Sequence, residues 1–265
     1  MKHYALLGEK LGHSLSVPIH EAIFERLGIH ADYQLIELPR GTFTEDARRL
    51  LRELDGFNVT IPYKQDIMPL LDEIAPQAAA IHAVNTVVTG DVNIGHNTDA
   101  AGFEAMLRRY GIDPAGHVCY VLGGGGTSNT ARHVLRRMGA RDVYVVSRRP
   151  GGEGVLDYDR FHASLLATGG LIVNTTPAGM KNVADTCPIA SDRLDEAVCH
   201  ASGVVDAIYN PPETVLTRAA RDAGVPACTG LYMLIRQAVE AEALWQGLPM
   251  PDDLTDTLMK ELKLL

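Results

Sequence analysis

Four consecutive glycines, Gly123–Gly126, lie between an apolar strand at Val118–Leu122 and an amphipathic helical pattern at Ser128–Met138. A chain that leaves a buried strand through glycines and enters a helix brings unpaired N–H groups to one tight turn. A pyrophosphate can then approach the backbone closely and rest on the helix N-terminus. The match to the usual fingerprint is imperfect, because Ser128 or Asn129 stands where its third glycine would be. A merely flexible glycine loop is the alternative, and the flanking strand and helix weigh against it. The next strand, Val143–Ser147, ends in Ser147-Arg148-Arg149, followed by Pro150-Gly151-Gly152. A site for NAD carries Asp or Glu at this point, to bind the ribose 2′-hydroxyl. Two guanidinium groups suit a 2′-phosphate instead, through planar, charge-assisted hydrogen bonds. A solvated basic turn would explain the arginines equally simply, but with the glycine loop beside them NADP is favoured over NAD.

The rest of the chain repeats the alternation of apolar runs and helical patterns, which predicts an α/β fold with largely parallel sheets. Ahead of the glycine loop the expected strands are Tyr4–Gly8, Tyr33–Glu37, Gly56–Val59, and a hairpin of Thr86–Thr89 and Val92–Ile94 turning at Gly90-Asp91. Expected helices are Pro18–Leu27, Thr44–Leu54 and Asp99–Tyr110, with helical turns around Gln65–Leu71. Beyond the loop come helix Tyr158–Ala167, strand Leu171–Asn174, a polar stretch without clear pattern, strand Val204–Ile208, helix Thr214–Ala223, and final helices Leu231–Gln246 and Asp253–Leu264. At 265 residues, 46% hydrophobic and 22% charged, there is material for two ordinary domains. The expected division is residues 1–100, with 231–265 packing back on them, and residues 101–230.

A net charge of −9 without a basic stripe argues against nucleic acid as a partner. Cys119, Cys187, Cys199 and Cys228 show no metal or redox spacing and read as reduced thiols, Cys119 in the core. The N-terminal MKHYALLGEKLGHS is too polar for a signal peptide, and no stretch has the apolar length of a membrane helix. A soluble cytoplasmic protein, monomer or homodimer, acting on a small molecule is expected.

Four polar clusters interrupt the apolar pattern of the first half: His13-Ser14-Leu15-Ser16, Asn58-Val59-Thr60-Ile61-Pro62-Tyr63-Lys64, Ala83-Val84-Asn85-Thr86 and Asn97-Thr98-Asp99. Each falls beside a strand end or helix start, where open α/β sheets bind ligands. Each also has a plainer explanation. Ser14 or Ser16 could cap the following helix, Asp99 could cap its own, and an isolated Lys64 is most often a surface lysine. The clusters alone are candidates.

Taken in order, these clusters resemble the shikimate dehydrogenase family. His13–Ser16 with Ile19-His20 is similar to the family's N-terminal signature, and Asn58–Lys64 to the segment carrying its catalytic lysine. Asn174-Thr175-Thr176-Pro177-Ala178-Gly179-Met180, Asp206-Ala207-Ile208-Tyr209-Asn210-Pro211 and the Gly230…Met233-Leu234…Gln237 run extend the likeness over roughly residues 4–247. The resemblance implies an N-terminal open α/β substrate domain followed by a Rossmann-type doubly wound NADP domain. It implies reversible reduction of 3-dehydroshikimate to shikimate, a step of aromatic amino-acid biosynthesis. Lys64 would be the general acid/base and Asp99 its partner. Ser14 and Ser16, with Tyr209, would bind the substrate carboxylate; Thr60, Asn85 and Gln237 would hold ring substituents. Gly123, Gly124, Gly125, Gly126, Thr127 and Ser128 would contact the cofactor. So would Ser147, Arg148 and Arg149, in a loop running to Gly152, and Ala207 and Gly230 near the nicotinamide. No metal is required.

The chemistry suits those residue types. Oxidising a secondary alcohol sends a hydride to the cofactor while the protein takes the hydroxyl proton. Hydroxyl and amide side chains penalise analogues that leave them unpaired. Four departures stand out: Val17 separates Ser16 from Pro18, Asn129 stands where arginine is common, Ser147-Arg148-Arg149 replaces Asn-Arg-Thr, and His96 replaces a tyrosine. A quinate/shikimate dehydrogenase with relaxed cofactor use, and an NADP-binding sensor without catalysis, are the competing readings.

Overall fold

The computed structural model describes residues 1–12 and 14–262, so His13 of the N-terminal signature and the end of the last expected helix lie outside the described residues. The chain divides into two compact units, Met1–Gly102 with Ile235–Leu265, and Phe103–Leu234. Each holds one six-stranded sheet among the described residues.

The first unit begins with β1 (Lys2–Gly8), α1 (Ser16–Leu27), β2 (Ala31–Glu37), α2 (Phe43–Glu53) and β3 (Gly56–Val59). It continues through β4 (Glu73–Ile74), α3 (Pro76–Ile81), β5 (Thr86–Val88), β6 (Ile94–His96) and the start of α4 (Asp99–Arg109). The strand order is β2-β1-β3-β5-β6-β4. Strands β1, β2 and β3 run parallel, but β5 is antiparallel to both β3 and β6. The expected hairpin is present with its second strand shifted to Ile94–His96, since Val88 pairs with Ile94. Asn93 is tied by its amide and its side chain to the Asp72 carboxylate, which moves the strand start past the exposed Val92. Helix α2 lays Phe43, Ala47, Leu50 and Leu51 against the sheet, the spacing of one helical face.

The second unit contains β7 (Val118–Leu122), α5 (Gly126–Arg137), β8 (Asp142–Val146), β9 (Val155–Leu156), α6 (Tyr158–Thr168), β10 (Gly170–Asn174), α7 (Ser191–Cys199), β11 (Ala201–Asp206), α8 (Val215–Asp222) and β12 (Ala227–Thr229). Its order, β12-β11-β10-β7-β8-β9, is parallel throughout. Every residue of β7 and β10 is buried, as in a sheet covered on both faces. The polar stretch that showed no pattern contains α7, whose short stripe of Leu194, Ala197 and Val198 joins the core.

Helices α9 (Leu231–Gln246) and α10 (Leu254–Glu261) close the chain. In the first unit Trp245 of α9 stacks on Tyr4 at 4.5 Å, and its indole N–H donates to the Val87 carbonyl at 2.9 Å. An α-helix is thereby fixed to the central strands, with Gln237 two turns earlier on it. No helix among the described residues is long and apolar enough to cross a membrane.

Candidate active site

In the first unit Lys64 follows β3, and its ammonium donates to Asp99 Oδ2 at 2.5 Å. Their side chains are only 14% and 10% exposed, so this is a held pair and not a surface lysine that happens to meet a carboxylate. Asp99 opens α4 without capping it. The cap is Asn97, whose Oδ1 accepts from the Ala100 N–H at 3.1 Å while its Nδ2 donates to the Ala83 carbonyl. Freed from that task, Asp99 turns its second oxygen to Asn85, which donates from Nδ2 at 3.0 Å. The same amide reaches Thr98 Oγ1 at 3.0 Å and Gln237 Oε1 at 3.4 Å. Its own Oδ1 accepts from the Thr98 N–H at 2.7 Å. Lys64, Asn85, Asp99 and Gln237 are thus brought together, with Thr98 joining them.

Ser14 and Ser16 form their own pair. The Ser14 hydroxyl accepts from the Ser16 N–H at 3.1 Å and donates to the Ser16 hydroxyl at 3.0 Å. This is a local turn at the entry to α1, not a bond that caps the helix. Thr60 sits at the end of β3, its N–H donating to Leu7 and its side chain half-buried. His96 closes β6 beside this cluster, and burial lowers its pKa.

The remaining candidates belong to the second unit. Helix α5 starts at Gly126, two residues before the expected Ser128, so the loop proper is Gly123–Gly125. Gly123 has φ of +103°, and a Cβ there would stand 3.0 Å from Thr175 Oγ1. Around Gly124 and Gly125 the space is open. The first-turn N–H groups of α5 have no partner within the helix, and the buried Ser128 hydroxyl has no protein partner either. Donors without acceptors and open space at glycine fit a pyrophosphate. Ser147 accepts from the Arg149 N–H at 3.2 Å, which shapes the turn, and Arg148 and Arg149 are both exposed. Gly230 packs so tightly on Ala207 that a Cβ would meet the Ala207 carbonyl oxygen at 2.2 Å. Tyr209 follows in the same loop, and burial raises the pKa of its phenol.

A second buried carboxylate supports this loop. Asp206, with no exposed surface, accepts from Asn174 Nδ2 at 3.1 Å, the Ile208 N–H at 3.0 Å and the Thr214 hydroxyl at 2.8 Å. Burial pushes its pKa up to about 6 despite those donors. Asn174 in turn accepts from Thr176, so the ends of β10 and β11 are joined through one network. Asp206, Asn174, Thr98 and Asn58 were recognised only as members of motifs. The usable signal is the same for the three strand residues, Asn58, Asn174 and Asp206: a polar residue in the buried part of a strand must find partners there.

Comparison with known proteins places the chain in a family. The family model described as the shikimate dehydrogenase substrate binding domain matches residues 6–87. A shikimate dehydrogenase (NADP(+)) of Clostridium beijerinckii is 35% identical, with 97% of each chain covered. The chain belongs to the shikimate dehydrogenase family. Among solved structures, a chorismate mutase/shikimate 5-dehydrogenase fusion protein from Clostridium acetobutylicum superposes with a TM-score of 0.92 at 38% identity, covering 99% of this chain and 97% of that one. A shikimate 5-dehydrogenase from Thermus thermophilus, solved in complex with NADP(H) and shikimate, superposes with a TM-score of 0.84 at 30% identity, with 98% and 99% covered. The shikimate dehydrogenase fold of a substrate domain and a Rossmann domain therefore accounts for the two sheets described above.

Proposed function

We propose that this chain is an NADP-dependent shikimate dehydrogenase, reversibly reducing 3-dehydroshikimate to shikimate, with Lys64 and Asp99 as its acid/base pair. The observation that carries the reading is the Lys64–Asp99 bond at 2.5 Å, with Asn85 holding the other carboxylate oxygen at 3.0 Å. In the oxidising direction neutral Lys64 takes the proton of the substrate hydroxyl as its carbon becomes a carbonyl. In the reducing direction protonated Lys64 returns that proton to the oxygen. NADP, when bound, supplies the hydride acceptor and NADPH the donor. Asp99 orients the ammonium and balances its charge. Asn85 and Gln237, with Thr60, meet ring hydroxyls, and a ring lacking them leaves amide groups unpaired.

Ser14 and Ser16 receive the substrate carboxylate. The Gly123–Ser128 turn holds the pyrophosphate, Ser147, Arg148 and Arg149 hold the 2′-phosphate, and Ala207 and Gly230 flank the nicotinamide. Residues 1–100 with 231–265 form the substrate domain and 101–230 the cofactor domain. The four free thiols accord with a cytoplasmic enzyme. Initial rates with NADP and NAD, each on shikimate and on quinate, test the reading. NADP with shikimate is expected to be fastest. Equal or better turnover of quinate with NAD would replace it with the quinate/shikimate reading, and NADPH binding without turnover would make the chain a sensor.

A further inference from the structure

The acid/base pair sits at one end of a buried chain of hydrogen bonds that runs through Asn85 to Thr86, Asn58 and Tyr33, and the last three have no role in the reaction as described. We infer that Asn58, anchored by Tyr33, is a positioning residue that sets the orientation of Asn85 and, through it, of the Lys64–Asp99 pair. The inference rests on the dehydrogenase reading above.

Asn58 is 4% exposed and Tyr33 5%, so neither polar group can turn to water. The Tyr33 hydroxyl donates to Asn58 Oδ1 at 2.7 Å. Asn58 Nδ2 then donates to the Asn85 carbonyl at 3.2 Å and to Thr86 Oγ1 at 3.0 Å. Both amide hydrogens donate and the oxygen accepts, so each end of the amide has a partner. Flipping it would set Oδ1 against the Asn85 carbonyl, lone pair against lone pair. Thr86 faces Asn58 directly across the antiparallel β3–β5 pair. Having accepted from Asn58, the Thr86 hydroxyl must pass its own proton on, to Asn85 Oδ1 at 3.2 Å or Thr98 Oγ1 at 3.0 Å. Asn85 Oδ1 is thus held between the Thr86 hydroxyl and the Thr98 N–H, 2.7 Å away, which leaves Nδ2 facing Asp99 Oδ1 at 3.0 Å. Asp99 presents its other oxygen to Lys64.

The far end of this chain is equally fixed. Tyr33 stacks face to face on His20, centroids 4.0 Å apart at 6°. His20 Nδ1 lies 2.7 Å from Glu242 Oε1, both side chains wholly buried. Burial, reinforced by the nearby Glu242 carboxylate, raises the Tyr33 pKa well above the ordinary phenol range, so Tyr33 stays protonated and remains a donor. One strut therefore links α1, which carries Ser16, and α9, which carries Gln237, to the proton-transfer pair. This gives a use to His20, a motif residue the reaction itself does not involve.

The test is a mutant cycle in the full chain, with Asn58→Ala and Tyr33→Phe made alone and in an Asn85→Ala background. Steady-state rates use shikimate and NADP, NADPH affinity is read from its fluorescence, and folding is followed by thermal melting. Asn58→Ala is expected to lower kcat/KM for shikimate by about 10- to 100-fold, the size expected from losing one or two buried hydrogen bonds. Tyr33→Phe should lower it by roughly 3- to 10-fold. NADPH affinity should stay the same for both. In the Asn85→Ala background both factors should shrink to less than about twofold, because the effect passes through Asn85. A purely structural role would instead multiply the same factor in both backgrounds, and that outcome overturns the inference. Should Asn58→Ala fail to fold, Tyr33→Phe keeps the ring, the stack and the volume and decides the matter alone. An unmutated chain without shikimate turnover would defeat the dehydrogenase reading and this inference with it. Turnover with multiplicative factors defeats only the inference.

Discussion

The two units handle polar chemistry in opposite ways. In the first, side chains hold one another: Lys64, Asp99, Asn85, Thr86 and Asn58 form a continuous buried network in which each hydrogen bond limits the next. In the second, the glycine loop offers main-chain donors, open space and an unpartnered Ser128 hydroxyl, while Arg148 and Arg149 stand exposed. The contrast follows from what each half must bind. A proton-transfer group works only in a fixed geometry, so its surroundings are ordered before the ligand arrives. A dinucleotide brings its own charges and acceptors, so its cradle keeps donors unpaired until it is filled.

The sharpest way to break this comparison is Lys64→Ala. If the first unit supplies chemistry and the second only binding, turnover should fall by about 10³-fold, roughly 4 kcal/mol, within the range for loss of a general acid/base. NADPH affinity, measured by fluorescence titration, should change by less than about twofold, since no cofactor contact is removed. Near-normal turnover would take Lys64 out of the reaction. A parallel loss of NADPH affinity would blur the separation between the units.

How much of this was legible in the chain itself differs between the halves for the same reason. The cofactor half is local. Strand, glycines and helix are contiguous, and the arginines end the very next strand, so pattern alone led to a dinucleotide. What pattern missed there was α7, because its apolar stripe is only Leu194, Ala197 and Val198. The short β9 and β12 were missed too, being defined by their partners and not by their composition. In the substrate half the pieces were visible but their connection was not. Asn58 and Thr86 meet only because β3 and β5 pair antiparallel in one register, and Asn85 meets Gln237 across 152 residues of sequence. Pattern offers Asp99 as the cap of α4, and only the fold shows Asn97 accepting the Ala100 N–H instead.

Asp206 sharpens the comparison from the other side, as a buried side-chain network at the cofactor end. Its pKa of about 6 lies above the ordinary carboxylate value, so the folded chain retains a proton that the unfolded chain has lost between about pH 4 and 6. Its contribution is therefore full below pH 4 and disappears as pH rises through 6, costing on the order of 3 kcal/mol. Asp206→Asn should remove that slope. Its Oδ1 keeps the Ile208 and Asn174 donors, while its amide can donate to Thr214 once that hydroxyl turns to Thr217, 3.2 Å away. Urea unfolding of both proteins from pH 4 to 7.5 checks this. The stability difference, variant minus parent, should grow with pH, and a constant difference would show that Asp206 is not protonated in the folded state.

The smallest expected effect falls on the exposed arginines, and it tests whether the second unit selects its cofactor or merely accepts one. Charge-assisted bonds to a 2′-phosphate are worth roughly 1–3 kcal/mol, so Arg148→Ala with Arg149→Ala should weaken NADP by about 10- to 100-fold. NAD lacks that phosphate and should weaken by less than about threefold. Both groups are solvent-exposed, so salt should erode the discrimination in the parent protein and have little left to erode in the variant. Equal losses for the two cofactors would mean that the arginines shape the Ser147–Gly152 turn without reading the phosphate. The cofactor cradle would then bind through its backbone alone, and the basis of any preference for NADP would have to lie elsewhere in the second unit.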